Sequence, residues 1–327
     1  MSNKNNNPNL NKLIPFMLNF EADEPQVQWV DQFQLSGRES FLTLDIYEHA
    51  FVSNPSFTET DLQQLFGPMH QRASLQPNGF IFHMSRCGST LMANMLRQSD
   101  RNLVRSEPEI LSQILNMAAP DNREYARDLF MAAVQALGKP NSPKQQNYVV
   151  KFSSACTIFM EYIFDAFPDT PKIFLYRDPV EVLASNLKDL DQGWMLSEKV
   201  LGIPIEDITQ KNTLLENFAI GIQRTCEGFV NHFDDTCMAF NYSQLSEEMF
   251  DRLLAFFNIH PGPQDRAAML AEMGVYSKNR GVAFASDVQK KQRSASPAVR
   301  AAADKYLAEV YEKLEALKVD LAAVCVS

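Results

Sequence analysis

The chain has 327 residues, a formal net charge of −10, 45% hydrophobic residues and 21% charged residues. That length buries a substantial core, as one large domain or one domain with an appendage, and the composition is that of an ordinary globular protein. The acidic balance argues against nucleic acid as a partner, which would need surplus Lys and Arg facing its phosphates, but it leaves room for an anionic small ligand in a locally basic pocket.

Cys87, Cys156, Cys226, Cys237 and Cys325 are scattered without a C-x-x-C pair. They read as free thiols rather than as a disulfide framework or zinc site. The N-terminal stretch M-S-N-K-N-N-N-P-N-L-N-K lacks the apolar core of a signal peptide, and no later run reaches the ~20 apolar residues of a membrane span. A cytoplasmic protein is expected.

Residues 1–75 read as an N-terminal extension without a motif, and 1–12 as disordered from their Asn-rich, polar composition. Between 13 and 75, apolar runs (L-I-P-F-M-L and S-F-L-T-L-D-I-Y) accompany a helical pattern at D-L-Q-Q-L-F. The turn signal Q-P-N-G then opens 76–327, where strand and helix patterns alternate. G-F-I-F-H-M predicts a buried strand and T-L-M-A-N-M-L-R-Q a helix. N-L-V-R-S-E reads as a short strand or an extended segment, with helical runs following through Leu137. N-Y-V-V-K-F predicts a second strand, C-T-I-F-M-E-Y-I-F-D-A-F a helix, K-I-F-L-Y-R a third strand and P-V-E-V-L-A-S-N-L its helix. An amphipathic helix over 208–233 precedes the strand C-M-A-F-N-Y and the helix S-E-E-M-F-D-R-L-L-A-F-F. A last helix opens at Ser296-Pro297, a cap followed by a proline in the first helical position.

This alternation predicts an α/β fold, a three-layer parallel sheet covered by helices on both faces and joined by right-handed crossovers. Ligands of such sheets bind at the carboxyl ends of the strands. Three of those ends carry polar groups: Ser85 to Thr90, Lys151 with Ser153 and Ser154, and Arg177.

The segment S-R-C-G-S-T-L joins a strand to a helix start. A helix N-terminus offers unsatisfied N–H groups and a partial positive charge, and a loop feeding it can curl further N–H groups around an anion. Gly88 permits close backbone approach, Ser89 and Thr90 add hydroxyls, and Arg86 adds a permanent planar cation. The segment reads as a phosphate cradle, but not as the G-x-x-x-x-G-K-[ST] loop of nucleoside triphosphatases. His83 stands where that motif has its first glycine, and Ser89 where it has its lysine.

R-C-G-S-T-L-M resembles the 5′-phosphosulfate loop, roughly [KR]-[ST]-G-[ST]-T-x-L, of the sulfotransferases that use 3′-phosphoadenosine 5′-phosphosulfate, with Cys87 in place of the usual hydroxyl residue. L-Y-R-D-P-V-E-V-L-A-S-N-L resembles that family's 3′-phosphate motif, R-[ND]-P-x-[DE]-x-x-x-S, with Ser185 eight positions after Arg177. The plainer alternative for these residues is Arg177 pairing with Asp178 or Glu181 and Ser185 bonding its own helix. V-V-K-F-S-S resembles the strand carrying K-T-H in cytosolic members, and A-F-N-Y-S-Q-L-S the later Y-E-D-L strand end. The resemblance covers residues 79–189 and, more weakly, 236–257.

The resemblance implies a P-loop-type sulfotransferase that transfers a sulfuryl group from 3′-phosphoadenosine 5′-phosphosulfate and releases 3′-phosphoadenosine 5′-phosphate, without a metal. The acceptor stays open, a small molecule, sugar or peptide. Arg86, Cys87, Gly88, Ser89, Thr90, Arg177 and Ser185 would hold the cosubstrate. Tyr242 would lie near the adenine or serve as a plain core tyrosine. Lys278 and Arg280, in S-K-N-R-G, resemble the R-K-G clamp of the 3′-phosphate, or form a solvated turn. Arg86 would meet leaving-group charge, with Lys151 assisting. Ser153 occupies the place of the K-T-H histidine, so the base must differ. Other family branches use a glutamate after the first helix, which points to Glu107, with Glu109 and His83 as alternatives. Pro108 favours an extended Glu107 whose carboxylate faces the cleft mouth; a helix-capping role or a pair with Arg105 is the plainer reading. Trp194 is a candidate for an acceptor lid, and Lys290, Lys291 and Arg293 read as a solvated face. The competing functions are a P-loop kinase or nucleotide hydrolase, disfavoured by the missing lysine, and a non-catalytic nucleotide-binding protein.

Overall fold

The computed structural model describes residues 12–32, 57–67, 74–188, 197–202, 212–274 and 295–319, together with the single residues 41, 42, 46, 204, 208 and 292. Five strands form one sheet: β4 (Gly79–His83), β5 (Asn102–Ser106), β6 (Asn147–Lys151), β7 (Lys172–Tyr176) and β8 (Cys237–Asn241). Their spatial order is β5-β6-β4-β7-β8, and every pairing is parallel. The α/β class read from the alternation is the one observed.

Side chains alternate across this sheet, and each face has its own core. Phe80, Phe82, Tyr148, Val150, Phe174 and Tyr176 point to one side, and Ile81, Val149, Ile173, Leu175 and Phe240 to the other. Helices cover both faces, which is why the strands read as near-continuous apolar runs. Phe80, Phe82, Phe130, Phe152 and Phe167 pack ring against ring beneath β4 and β6. Strand β4 lies between β6 and β7, so the chain leaves it once to build the β5–β6 side and later crosses to the β7–β8 side. The loop after β4 therefore sits where the strand order reverses, which is where such sheets open a ligand crevice.

The helices begin where their caps dictate. Helix α1 (Ser89–Arg97) follows β4, and α2 (Glu109–Met117) and α3 (Arg123–Leu137) fill the β5–β6 crossover. The segment expected to be helical from Cys156 is a 3₁₀ turn over Ser154–Phe159 before it becomes α4 (Met160–Ala166). Helix α5 (Pro179–Asn186) starts at Asp178, whose carboxylate accepts from the Glu181 N–H at 3.0 Å, with Pro179 in the first helical position. After the single turn α6 (Glu198–Leu201), α7 covers Leu214–Val230. It begins later than the apolar periodicity suggests, because Thr213 and Glu216 form a capping box that fixes the start. Helices α8 (Glu247–Phe256) and α9 (Pro263–Ala271) follow, and the last helix runs from α10 (Pro297–Ala302) through one π turn into α11 (Ala308–Ala316). Ser296 caps α10 by accepting from the Val299 N–H at 3.3 Å.

Ahead of this sheet lie three antiparallel strands, β1 (Leu13–Asn19), β2 (Gln26–Asp31) and β3 (Thr58–Asp61), in the order β1-β2-β3. Pro15, which has no N–H for a ladder bond, lies at the register shift of β1. D-L-Q-Q-L-F forms a 3₁₀ turn, Leu62–Phe66, rather than an α-helix. Most of S-F-L-T-L-D-I-Y lies outside the described residues. The inward face of the small sheet, Ile14, Phe16, Leu18, Val27 and Trp29, belongs to the same continuous core as Phe80 and Phe82. Two polar clamps fix it there: Gln113 of α2 accepts from the Leu18 N–H at 2.6 Å and donates to the Leu18 carbonyl at 3.3 Å, and buried Arg105 donates to Gln32 Oε1 at 2.7 Å.

Candidate active site

All five parallel strands end at one rim, and each delivers a candidate residue to it. The loop after β4 carries two backbone irregularities: Arg86 has φ 56° and Gly88 φ 97°. Gly88 is the N-cap of α1, so Ser89 and Thr90 occupy the first helical positions, where N–H groups lack intrahelical partners. Only glycine takes the second irregularity without strain. A Cβ at Gly88 would also lie 2.4 Å from Cε2 of Tyr242, so the tyrosine ring rests directly on the loop backbone.

The Cys87 thiol faces inward. It is fully buried in the core and donates to the Leu175 carbonyl at 3.1 Å, with burial pushing it up to about 12. The Cys87 side chain thus anchors the loop to β7, in an apolar surrounding that suits a thiol.

From the end of β7, Arg177 turns back along α5. Its Nε donates to Glu181 Oε2 at 2.5 Å, and its guanidinium lies over the Tyr242 ring at 5.0 Å. The pairing with Glu181 is thus present, at the i,i+4 spacing that favours it. Ser185, by contrast, accepts from Arg86 Nε at 3.3 Å. The hydroxyl expected to work with Arg177 is joined instead to the cation of the other loop, and Ser85 Oγ donates to the neighbouring Asn186 Oδ1 at 3.2 Å. Arg86, Gly88, Arg177, Ser185 and Tyr242 therefore form one contiguous group built from three strand ends.

Glu107 departs from its expected geometry. It is not extended before Pro108 but left-handed, with φ 51°, a costly conformation for a residue with a side chain. Its N–H donates to the Lys151 carbonyl at 2.6 Å, and its carboxylate turns onto the Lys151 ammonium rather than standing out at the cleft mouth. The helix that follows is capped without a side-chain bond from Glu107, and Arg105 bonds the Leu137 carbonyl and Gln32 instead, so neither of the plainer roles is the observed one. Burial alone would raise the Glu107 carboxyl, but the Lys151 charge and the His83 ring outweigh it and hold it below the ordinary carboxylate range.

Lys151 is fully buried while the Glu107 side chain keeps 28% of its surface exposed. Lys151 thereby stands as counter-ion to Glu107. His83 lies 3.6 Å from Glu107 Oε1 and 3.1 Å from the Phe152 carbonyl, both through Nε2. A carbonyl only accepts, so Nε2 carries the proton. Nδ1 is buried without a partner among the described residues, and burial followed by the Lys151 charge keeps the ring neutral by lowering its pKa. Glu109, in the first turn of α2, is half-buried; burial and then the Glu107 charge raise its carboxyl. One member was not anticipated from the sequence: the Phe41 ring lies 5.3 Å from the Lys151 ammonium. Lys278, Arg280, Trp194, Lys290, Lys291 and Arg293 lie outside the described residues. Among the described residues, no group of three or more His, Cys, Asp or Glu side chains is placed to hold a metal ion, and no helix is long and apolar enough to cross a membrane.

No family model and no curated protein sequence matches the chain. Solved structures do. A sulfotransferase domain from the curacin biosynthetic pathway is 14% identical, with 76% of this chain and 100% of that one covered at a TM-score of 0.45. A sulfotransferase from Alicyclobacillus acidocaldarius is 15% identical, covering 74% and 95% at 0.42, and one from Mycobacterium avium 13%, covering 81% and 82% at 0.45. All three neighbours are sulfotransferases.

Proposed function

We propose that this chain is a sulfotransferase that moves a sulfuryl group from 3′-phosphoadenosine 5′-phosphosulfate to a hydroxyl or amine acceptor. The observation that carries the reading is the convergence of Arg86 and Arg177 on one rim, linked through Ser185 and Tyr242, at the N-terminus of α1. In a chain of net charge −10, two guanidiniums and an uncapped helix start concentrated at one place suit a ligand with two separated anionic groups.

In this reading the loop 86–90 and the first N–H groups of α1 hold the 5′ end, and Arg177 holds the 3′-phosphate. When bound, the cosubstrate supplies a sulfuryl group on a phosphate leaving group. Arg86 stands to meet the charge that grows on the leaving oxygen, the electrostatic work that dominates this kind of transfer. Glu107 takes the acceptor proton. Lys151 keeps Glu107 ionised and aimed, and neutral His83 adds an N–H beside the same carboxylate.

The test is transfer of labelled sulfate from the cosubstrate to acceptor pools, with chelator present, alongside a thermal-shift titration with 3′-phosphoadenosine 5′-phosphate. Transfer without magnesium is the expected result. Magnesium-dependent turnover of ATP would favour a kinase or hydrolase, and binding without transfer a non-catalytic protein. Arg86→Ala should reduce turnover more than affinity. Arg177→Ala should weaken the bisphosphate while sparing adenosine 5′-phosphate; equal affinity of the wild type for both nucleotides would remove the 3′-phosphate assignment.

A further inference from the structure

We infer that Tyr242 is a positioning residue whose ring sets the distance between the Gly88 turn and the Arg177 guanidinium, and so determines how strongly a 3′-phosphate is recognised. The inference rests on the reading above and deepens it. Tyr242 opens the 3₁₀ turn Tyr242–Gln244 directly after β8 and is half-buried. One edge of its ring, Cδ2 and Cε2, falls 2.5 and 2.4 Å from where a Cβ at Gly88 would stand. Arg177 lies over the ring, 5.0 Å from its centre, while its Nε is drawn to Glu181 at 2.5 Å. The ring is thus a spacer: loop on its edge, cation on its face, and a carboxylate competing for that cation.

Two consequences distinguish a spacer from a surface that merely contacts the adenine. The aromatic face is what matters, because the cation is attracted by the ring's electron density; the phenol oxygen has no part in it. Loss of the face should also act on one end of the nucleotide only. Without it Arg177 keeps the Glu181 carboxylate that draws it aside and is held less well for a phosphate, whereas Arg86 keeps its bond to Ser185 and the first N–H groups of α1 keep the helix that carries them.

Calorimetric titration of the full chain with adenosine 3′,5′-bisphosphate and adenosine 5′-phosphate reads this out as a ratio of affinities. Tyr242→Phe should keep the wild-type preference for the bisphosphate. Tyr242→Leu should reduce that preference about tenfold, a typical cation–π contribution at a partly desolvated site. Tyr242→Met fills similar volume without an aromatic face and should behave like the Leu variant, which keeps the test available if one of them folds poorly. A preference unchanged in both aliphatic variants would overturn the inference, as would a parallel loss for the two nucleotides. So would a Phe variant as impaired as the Leu one. If the wild type bound neither nucleotide, the proposed function itself would fall, and this inference with it; binding of both without preference would remove the 3′-phosphate assignment of Arg177 and the spacer together, while leaving the 5′ site at the loop 86–90.

Discussion

As the proposed base, Glu107 faces two demands that pull apart. A general base has to accept a proton, yet the buried Lys151 ammonium holds this carboxylate below its ordinary range. The pair is also structural. Removing Glu107 leaves a cation with no exposure to water, which costs about 3 kcal/mol in comparable buried pairs. Glu107→Gln should therefore lose activity and stability together, and the single variant cannot separate the two roles. The double variant Glu107→Gln/Lys151→Met can, because it removes both charges. Its denaturant midpoint should return most of the way to wild type while transfer stays abolished. Recovery of activity in the double variant would exclude Glu107 as the base. The pH dependence carries the same logic. A carboxyl whose folded value is depressed stays ionised to lower pH, so stabilisation by the pair is present above the unfolded carboxylate range and lost as pH falls through the folded value. Lys151→Met should shift the acid limb of the rate profile upwards.

At the scale of elements, the turn between β4 and α1 concentrates the strain. Gly88→Ala would place a side chain at φ 97° and drive it into the Tyr242 ring. An expected destabilisation of about 1–2 kcal/mol, read from urea unfolding, has two components: backbone strain and the ring collision. In a Tyr242→Leu background only the first should remain, so the cost of the same substitution should drop. Equal costs in the two backgrounds would mean that the ring moves aside freely.

These elements also divide by how they were legible. Strands β4, β6, β7 and β8 announce themselves because a parallel strand covered on both faces is an unbroken apolar run, and α5 and α10 because a capping side chain followed by Pro marks a helix start. The rim position of Arg86 and Arg177 follows from strand-end logic alone. What is not legible depends on residues distant in sequence. The turn of Glu107 answers to Lys151, 44 positions later, and the Cys87 thiol to a carbonyl 88 positions away. A local rule, the bias Pro108 places on its predecessor, was overridden by that distant charge, and the site is where such an override is expected.

For the whole molecule, the decisive question is whether the N-terminal strands are an accessory or part of the folding unit. The three strands would read as an appendage from sequence, with no motif and no clear tie to the larger sheet. Their inward residues nevertheless lie in the core that contains Phe80, Phe82 and Phe152, and the ties across are polar as well as apolar. Arg105 is buried in β5 and spends its donors on Leu137, Lys139 and Gln32, so detaching the strands would leave part of a buried guanidinium unsatisfied. Trp29, fully buried in β2 and donating to Thr60 Oγ1 at 2.7 Å, reports on the small sheet alone once the chain's other tryptophan is replaced. In a Trp194→Phe variant, its fluorescence and the far-ultraviolet circular dichroism of the many helices should trace one unfolding curve in urea, with the same midpoint and slope. An earlier fluorescence transition, with the helical signal intact, would show that the small sheet unfolds by itself. The contiguity of the core predicts the single curve, since the small sheet packs on α2 and α3, the helices of the β5–β6 crossover, and neither side is covered without the other.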